Sequence, residues 1–300
     1  MAEAPATTAR PASTAADGGA PVAGYGPSTV LGTVTDPGID ESSGLAASRR
    51  NPGLLWTHND SGDAPLVYCL DIQAHGCGVW RVTGAEAFDW EDMAAGPGPS
   101  AGEPYLYLGD IGDNLDQRTE IVVYRIPEPA AASGVGTTKA APAATPPAEA
   151  IRLRYPDGAH NAEALAVHPV TGDLYVVTKD AQSAKVFKAS APLVTARLTA
   201  LVQVGTIRLG SASRGLELVT GADVSPDGRR VAISTYAQAY ELELPAGGVF
   251  DDIWAQRPVP VTLGFRPQGE SIAYRLDGRA LLSSSEIVPW TLQQVERRGP

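Results

Sequence analysis

Glu91, Glu163 and Glu270 each stand two residues before an apolar position in one of three similar strings: DWEDMAAG (89–96), NAEALAVH (161–168) and QGESIAYR (268–275). Carboxylates gathered without partners repel and raise one another's pKa. A protein keeps such a cluster where a cation or a proton-transfer role compensates. Oxygen-rich, sulfur-free donors favour a hard cation such as Ca²⁺ over Zn²⁺. Asp110, at the end of YLYLGD, joins the three glutamates as a candidate metal ligand. His58 and His160 flank the acids, and histidine is the residue type suited to acid/base work, so with Glu91 and Glu163 they are the candidate acid/base groups. Asn59, Asp60, Asp89, Asp92, Asp113, Asn114, Lys179, Asp223 and Glu286 are further candidates for the same face.

What must position these groups is a repeat. Five first strands are legible in ESSGLAAS (41–48), DWEDMAAG, NAEALAVH, TGADVSPD (220–227) and QGESIAYR. Second strands follow in LLWTHND (54–60), YLYLGDIGDN (105–114), LYVVTKD (174–180), RVAISTY (230–236) and ALLSSSE (280–286). Between them lie turn signals such as Asn51-Pro52-Gly53, Thr171-Gly172-Asp173, Pro226-Asp227-Gly228 and Asp277-Gly278. Third strands appear in LVYCLDI, EIVVYRIP, KVFKAS, AYELELP and WTLQQVE. Fourth strands appear in GVWRVTG, AIRLRYP, VQVGTIRLG and PVPVTLG. The last unit lacks one, and STVLGTVT (28–35) supplies it from the other end of the chain. The expected fold is an all-β β-propeller of five blades, its ring closed by N- and C-terminal strands. Six blades result if the long second unit hides two. Residues 28–300 are read as one domain, with a flexible Ala/Pro/Thr-rich insert at 127–150.

Topology then gathers the acids. A blade's first strand lines the channel and the second returns beside it, so the residues before the first and after the second emerge on one face. Taking Leu45, Met93, Leu165, Val224 and Ile272 as equivalent, the position two before reads Ser43, Glu91, Glu163, Ala222 and Glu270. Lys179 is placed to pair with Glu163 or Glu91, which would neutralise the ring without any metal. Asp and Asn near strand ends also bond turn backbone, and at least one of Asp110 and Asp113 is expected to do so. Asp227 and Asp277 belong to turns on the opposite face. Trp56, Trp80 and Trp90 are expected to pack between blades.

The formal charge of −11 makes nucleic acid a poor partner. No run of eighteen apolar residues is present, so no membrane span is expected. Residues 1–27 read as a disordered leader without an apolar signal core. Such a tract often follows a removed export signal. If Asp71 pairs with His75, Cys69 falls opposite Cys77, within reach of a disulfide; another register separates the sulfurs. Leader and disulfide together suggest a secreted or cell-envelope protein. Serine-nucleophile, P-loop, zinc-protease and dinucleotide-binding motifs are absent from the sequence.

The strings THNDSGD (57–63), DWEDMA (89–94), YLGDIGDN (107–114), NAEALAVHP (161–169), TGADVSPDGRRVAISTY (220–236) and GESIAY (269–274) resemble a largely uncharacterised group of secreted actinobacterial propellers. More distantly they are similar to phytase-like and gluconolactonase-like propellers. The resemblance spans roughly residues 41–290. It implies axial carboxylates, here Glu91, Asp110, Glu163 and Glu270, that hold Ca²⁺ beneath a substrate. The paired phosphate-binding basic residues of propeller phytases have no match here. The reading is therefore a metal-assisted hydrolase or lyase acting on a small ester, lactone, phosphate or sugar, without an organic cofactor. Two alternatives stand beside it: a non-enzymatic module binding a sugar, peptide or cell-envelope ligand on the axial face, and a metal-free Glu acid/base enzyme.

Overall fold

Each repeated segment folds into an antiparallel sheet whose first strand is innermost. The structure is a computed structural model and describes residues 24–180, 183–209 and 217–298. Blade 1 holds β2 (Ser42–Ala47), β3 (Leu54–Asn59), β4 (Leu66–Asp71) and β5 (Gly76–Arg81). Blade 2 holds β6 (Trp90–Pro97), β7 (Pro104–Asp110), β8 (Ile121–Pro127) and β10 (Glu149–Arg154); the short β9 (Ala143–Ala144), between β8 and β10 in the chain, joins the sheet of blade 1. Blade 3 holds β11 (Ala162–Val167), β12 (Leu174–Thr178), β13 (Ala184–Ala189) and β15 (Val202–Ile207); the short β14 (Thr199–Ala200), just before β15 in the chain, joins the sheet of blade 2. Blade 4 holds β16 (Val219–Val224), β17 (Arg230–Thr235), β18 (Ala239–Glu243) and β19 (Val259–Val261). Blade 5 holds β20 (Gly269–Tyr274), β21 (Ala280–Ser285) and β22 (Thr291–Arg297), and β1 (Tyr25–Thr33) pairs antiparallel with β22 to complete it. The molecule is a five-bladed β-propeller closed by strands from both ends of the chain.

The sequence explains the local choices. The turns between first and second strands place Gly53, Gly172, Gly228 and Gly278 at φ of 84°, 75°, 68° and 68°, where a side chain would be strained. Buried alanines on the inner strands, among them Ala46, Ala94, Ala164 and Ala222, let neighbouring blades approach around the axis. Between blades 1 and 2, Trp56 meets Trp80 edge-on at 5.1 Å, and Trp90 packs in the same buried cluster, as expected for all three.

The inner strands share one irregularity near their starts. Pairing slips between Ser42 and Leu45, Trp90 and Met93, Ala162 and Ala164, Val219 and Gly221, and Gly269 and Ile272. Such bulges re-aim side chains at the rim of a sheet. They also set the register: Leu45, Met93, Leu165, Ala222 and Ile272 are equivalent, each standing just past the bulge. In blade 4 the expected alignment on Val224 is therefore two residues out, and the position of the glutamates is held there by Thr220.

The segment 127–150, read from composition as a flexible loop, carries a 3₁₀ turn at Ala131–Gly134 and β9, which pairs parallel with the outer strand β5. Glu128 anchors it: its carboxylate accepts bonds from Ser48, the amides of Arg49 and Arg50, Asn51 and the Trp56 indole. In the same way β14 covers the outer edge of β10. Both devices remove an open sheet edge.

Cys69 and Cys77 form a disulfide with Cα atoms 5.1 Å apart. Asp71 donates its amide to His75 and Leu70 faces Gly76, but a bulge then sets Cys69 opposite Gly78. The expected leader yields at Tyr25, where β1 begins, and residues 1–23 lie outside the described residues.

Candidate functional site

The second residue of each inner strand faces the axis just inside the upper rim, giving a ring of Ser43, Glu91, Glu163, Thr220 and Glu270. All five are at most 6% exposed. One residue beyond each second strand adds Asp60, Ile111, Lys179, Tyr236 and Glu286 above that ring. Asp89 precedes β6 on the same rim. Two hydroxyls in the inner ring tie neighbouring blades. Ser43 Oγ donates to the Glu91 carbonyl, and Thr220 Oγ1 donates to the Glu270 carbonyl at 2.7 Å.

The acids fall into two groups. On the side of blades 1 and 2, Asp60, Asp89 and Glu91 each offer an oxygen, and these oxygens lie within 4.8 Å of one another. Two ligands of one Ca²⁺ at about 2.4 Å can be separated by no more than twice that distance, so the set is of the right size for such an ion. Glu91 is 5% exposed, and among the described residues nothing donates a hydrogen bond to its carboxylate. Burial and then the nearby Glu163 push its pKa well above the carboxylate range. Burial and Asp60 raise Asp89. Gly112 lies directly against this group: a Cβ there would come within 2.2 Å of Glu91 Oε1 and 2.4 Å of Asp89 Oδ2.

On the side of blades 3 and 5, Lys179 Nζ pairs with Glu163 Oε1 and sits 5.0 Å from the centre of the Tyr236 ring. Burial raises Glu163 to about 7, with Lys179 restraining the rise. Burial alone would lower Lys179, but Glu163 outweighs it and the ammonium is held firmly charged. Glu270 accepts from Gln268 at 3.1 Å; burial, Glu163 and Glu286 push it up to about 10, so it carries its proton at neutral pH. Glu286 is raised by burial and Asp60, and its Oε2 is buried without a partner among the described residues. Below Glu270 the buried Arg266 donates to Ser234 Oγ and to the carbonyls of Thr235 and Gln238. Burial lowers Arg266 to about 10, with Glu270 opposing.

Several expected site residues serve the scaffold. Asp110 forms an ion pair with Arg118 at 2.8 Å and accepts from the amides of Phe88 and Asp89. Asp113 accepts from the Arg118 amide, and Asn114 accepts from Asn161. Asn59 donates to Gly38, Asp40 and Asp63. Asp92 is fully buried below the ring and accepts three backbone amides. Asp223 stands near the far end of β16, where it accepts from the Tyr274 amide, away from the upper rim. Burial raises it to about 7.

The histidines are not brought to the carboxylates as free acid/base groups. His58 is wholly buried, edge-on to Trp90 at 5.5 Å, with Nδ1 2.8 Å from the Asn59 carbonyl and its pKa lowered by burial. His160 lies on blade 3 beside Tyr155 and Phe187 and pairs with Asp157 at 2.9 Å.

Tyr236 and Arg266 join the site without having been expected from the sequence. The repeat does signal Tyr236, which occupies the position held by Asp60, Lys179 and Glu286. Arg266 comes from an irregular loop with no repeat signal. Around the acids, the upper loops leave Phe88 70%, Leu115 74%, Phe265 87% and Ile287 48% exposed.

No protein-family model and no curated protein matches the chain. Among solved structures it is similar to the PQQ-bound aldose sugar dehydrogenase from Streptomyces coelicolor, with a TM-score of 0.53 and 12% identity, covering 93% of this chain and 100% of that one. It is also similar to a luciferin-regenerating enzyme, with a TM-score of 0.48 and 12% identity over 92% and 98% of the two chains. The resemblance read from the sequence is thus borne out at the level of the β-propeller fold, which hosts many unrelated chemistries.

Proposed function

We propose that the upper axial site binds a divalent cation, Ca²⁺ in class, through Asp60, Asp89 and Glu91, and that the protein is a metal-assisted hydrolase or lyase of a small ester, lactone, phosphate or sugar. The observation that carries this reading is Glu91: a carboxylate 5% exposed, with no hydrogen bond to it among the described residues, that shares a ligand-sized space with two more acids. A bound cation supplies Lewis acidity toward a carbonyl or phosphoryl oxygen. The chain supplies the rest. Lys179 holds Glu163 in place, and Glu270 presents a proton at the opposite side of the ring for a leaving oxygen. Phe88, Leu115 and Phe265 give the mouth an apolar border against which a substrate's hydrocarbon part can lie. The disulfide fits an oxidising, extracellular setting.

Calorimetric titration of Ca²⁺ into chelator-treated protein tests the cation, and an ester and lactone panel with and without chelator tests the chemistry. The expected result is saturable binding that Glu91→Gln abolishes, with chelator-sensitive turnover. Equal Ca²⁺ responses in wild type and Glu91→Gln would overturn the metal site. Binding without turnover would make the face a ligand-recognition site instead.

A further inference from the structure

On the face opposite the acids, the first turns of blades 4 and 5 and the ends of β18 and β22 enclose a cleft of about 530 Å³. Arg229, Arg230, Arg279 and Arg297 line it. Four arginines converging on one cleft run against a chain whose formal charge is −11.

Carboxylates also line the cleft, but most are engaged. Asp277 pairs with Arg275 at 2.8 Å, and Glu296 pairs with the same guanidinium at 2.7 Å. Asp227 accepts from Ser225, from the Arg229 amide and from Arg230. The arginines are less well served. Arg229 donates only to the Leu244 carbonyl, and the exposed Arg279 side chain has no bonded partner among the described residues. Arg297 reaches Glu241 and Glu243 only at 3.7 and 3.9 Å, and its Nε is buried without a hydrogen bond. Glu241 is already claimed by the hydroxyls of Tyr25 and Tyr274.

We infer that this cleft is a second ligand site, for a small molecule bearing a phosphate or sulfate group, with Arg229, Arg279 and Arg297 as its anion receptors. Guanidinium forks match tetrahedral oxyanions in geometry and charge. The volume exceeds what a bare anion fills and suits a small organic body attached to it. The placement is independent of the axial site, from which the cleft is separated by the length of the inner strands.

Titration with inorganic phosphate and with glycerol phosphate, at low ionic strength and in the presence of chelator, tests the inference. Both should bind saturably, the monoester more tightly, and both should weaken at least tenfold in Arg279→Ala and as salt is raised. Arg279 lies exposed at a turn, so that variant keeps the fold; Arg297→Ala should give the same loss. Glu91→Gln should bind both probes as the wild type does. Absence of saturable binding, affinity unchanged in Arg279→Ala, or loss of binding in Glu91→Gln would overturn the assignment.

Discussion

The Asp92 carboxylate of blade 2 accepts the amide of Ala222, 3.1 Å away in blade 4, although those blades are not neighbours in the ring. The same oxygen accepts the Leu165 amide of blade 3 at 2.9 Å, and the other accepts Met93 at 2.8 Å. One side chain therefore crosses the axis and forms the floor under the acidic ring. It adds hydrogen bonds among three inner strands that otherwise meet through side-chain packing.

Removing that floor should destabilise the whole propeller. Asp92→Ala leaves three buried amides without an acceptor, at about 1–3 kcal/mol each, so a loss of at least about 3 kcal/mol is expected. Asp92→Asn turns one acceptor into a donor facing amide donors and should cost nearly as much. Denaturant midpoints read from the buried tryptophans would decide, and a loss below about 1 kcal/mol would contradict the role.

The ring also sets a pH dependence. Glu163 at about 7 and Glu270 at about 10 lie above their unfolded value of 4.5, so the folded state holds more protons between those limits. Stability must then fall as pH rises through that interval. Asp223, at about 7, acts in the same direction. The lowered carboxyls of Asp71 and Asp173 act below pH 3.8, outside the window, and His58 and His168, both lowered by burial from 6.5, act in the opposite direction only below that value. In chelator, the melting temperature should decline from about pH 6.5 to pH 9, above the range in which the histidines act, and Glu270→Gln should flatten the decline. A rise over that range, or an unaltered slope in the variant, would contradict it.

What the sequence disclosed about this ring was its repeat, and what it hid was its register. Alternating apolar runs and Gly-containing turns locate the blades and even the closure by STVLGTVT, because strand period and turn chemistry are local. The bulge in the inner strands is not local: it depends on how one strand packs against its neighbours. In blade 4 the sequence pattern therefore aligns on Val224 and places Ala222 in the ring, whereas Thr220 holds that position and the acid Asp223 lies beyond it. Asp110 misled for a related reason. Its type suits a metal, but its partner Arg118 lies eight residues on, past an irregular loop that brings the guanidinium back.

Lys179 should matter only when Glu163 is charged. Both side chains are largely buried, and removing one partner of a buried pair costs about 3–5 kcal/mol if the other keeps its charge. Below about pH 6 Glu163 is mostly protonated, so Lys179→Met loses little there. By pH 8 the variant must strand a carboxylate or protonate it at a cost. The gap in unfolding free energy between variant and wild type should widen across that range. A gap independent of pH would show that Lys179 acts through packing alone.

Gly112 offers the cleanest separation of cation binding from folding. It offers no side chain to an ion, only an amide to the Asp89 carbonyl and a carbonyl to Arg118, yet a methyl there would fall 2.2 Å from Glu91 Oε1 and 2.4 Å from Asp89 Oδ2. Both carboxylates must move to admit it, and a shift of that size removes their oxygens from a shared coordination sphere whose bonds tolerate only a few tenths of an ångström. Neither acid is lost, and the substitution removes neither member of the Asp110–Arg118 pair nor the Gly112 carbonyl that Arg118 also bonds. Gly112→Ala should therefore weaken Ca²⁺ binding at least tenfold while the melting temperature in chelator shifts by only a few degrees. Retained affinity would mean that the three acids do not share one ion; collapse of the fold in chelator would mean that the glycine serves the loop before the site.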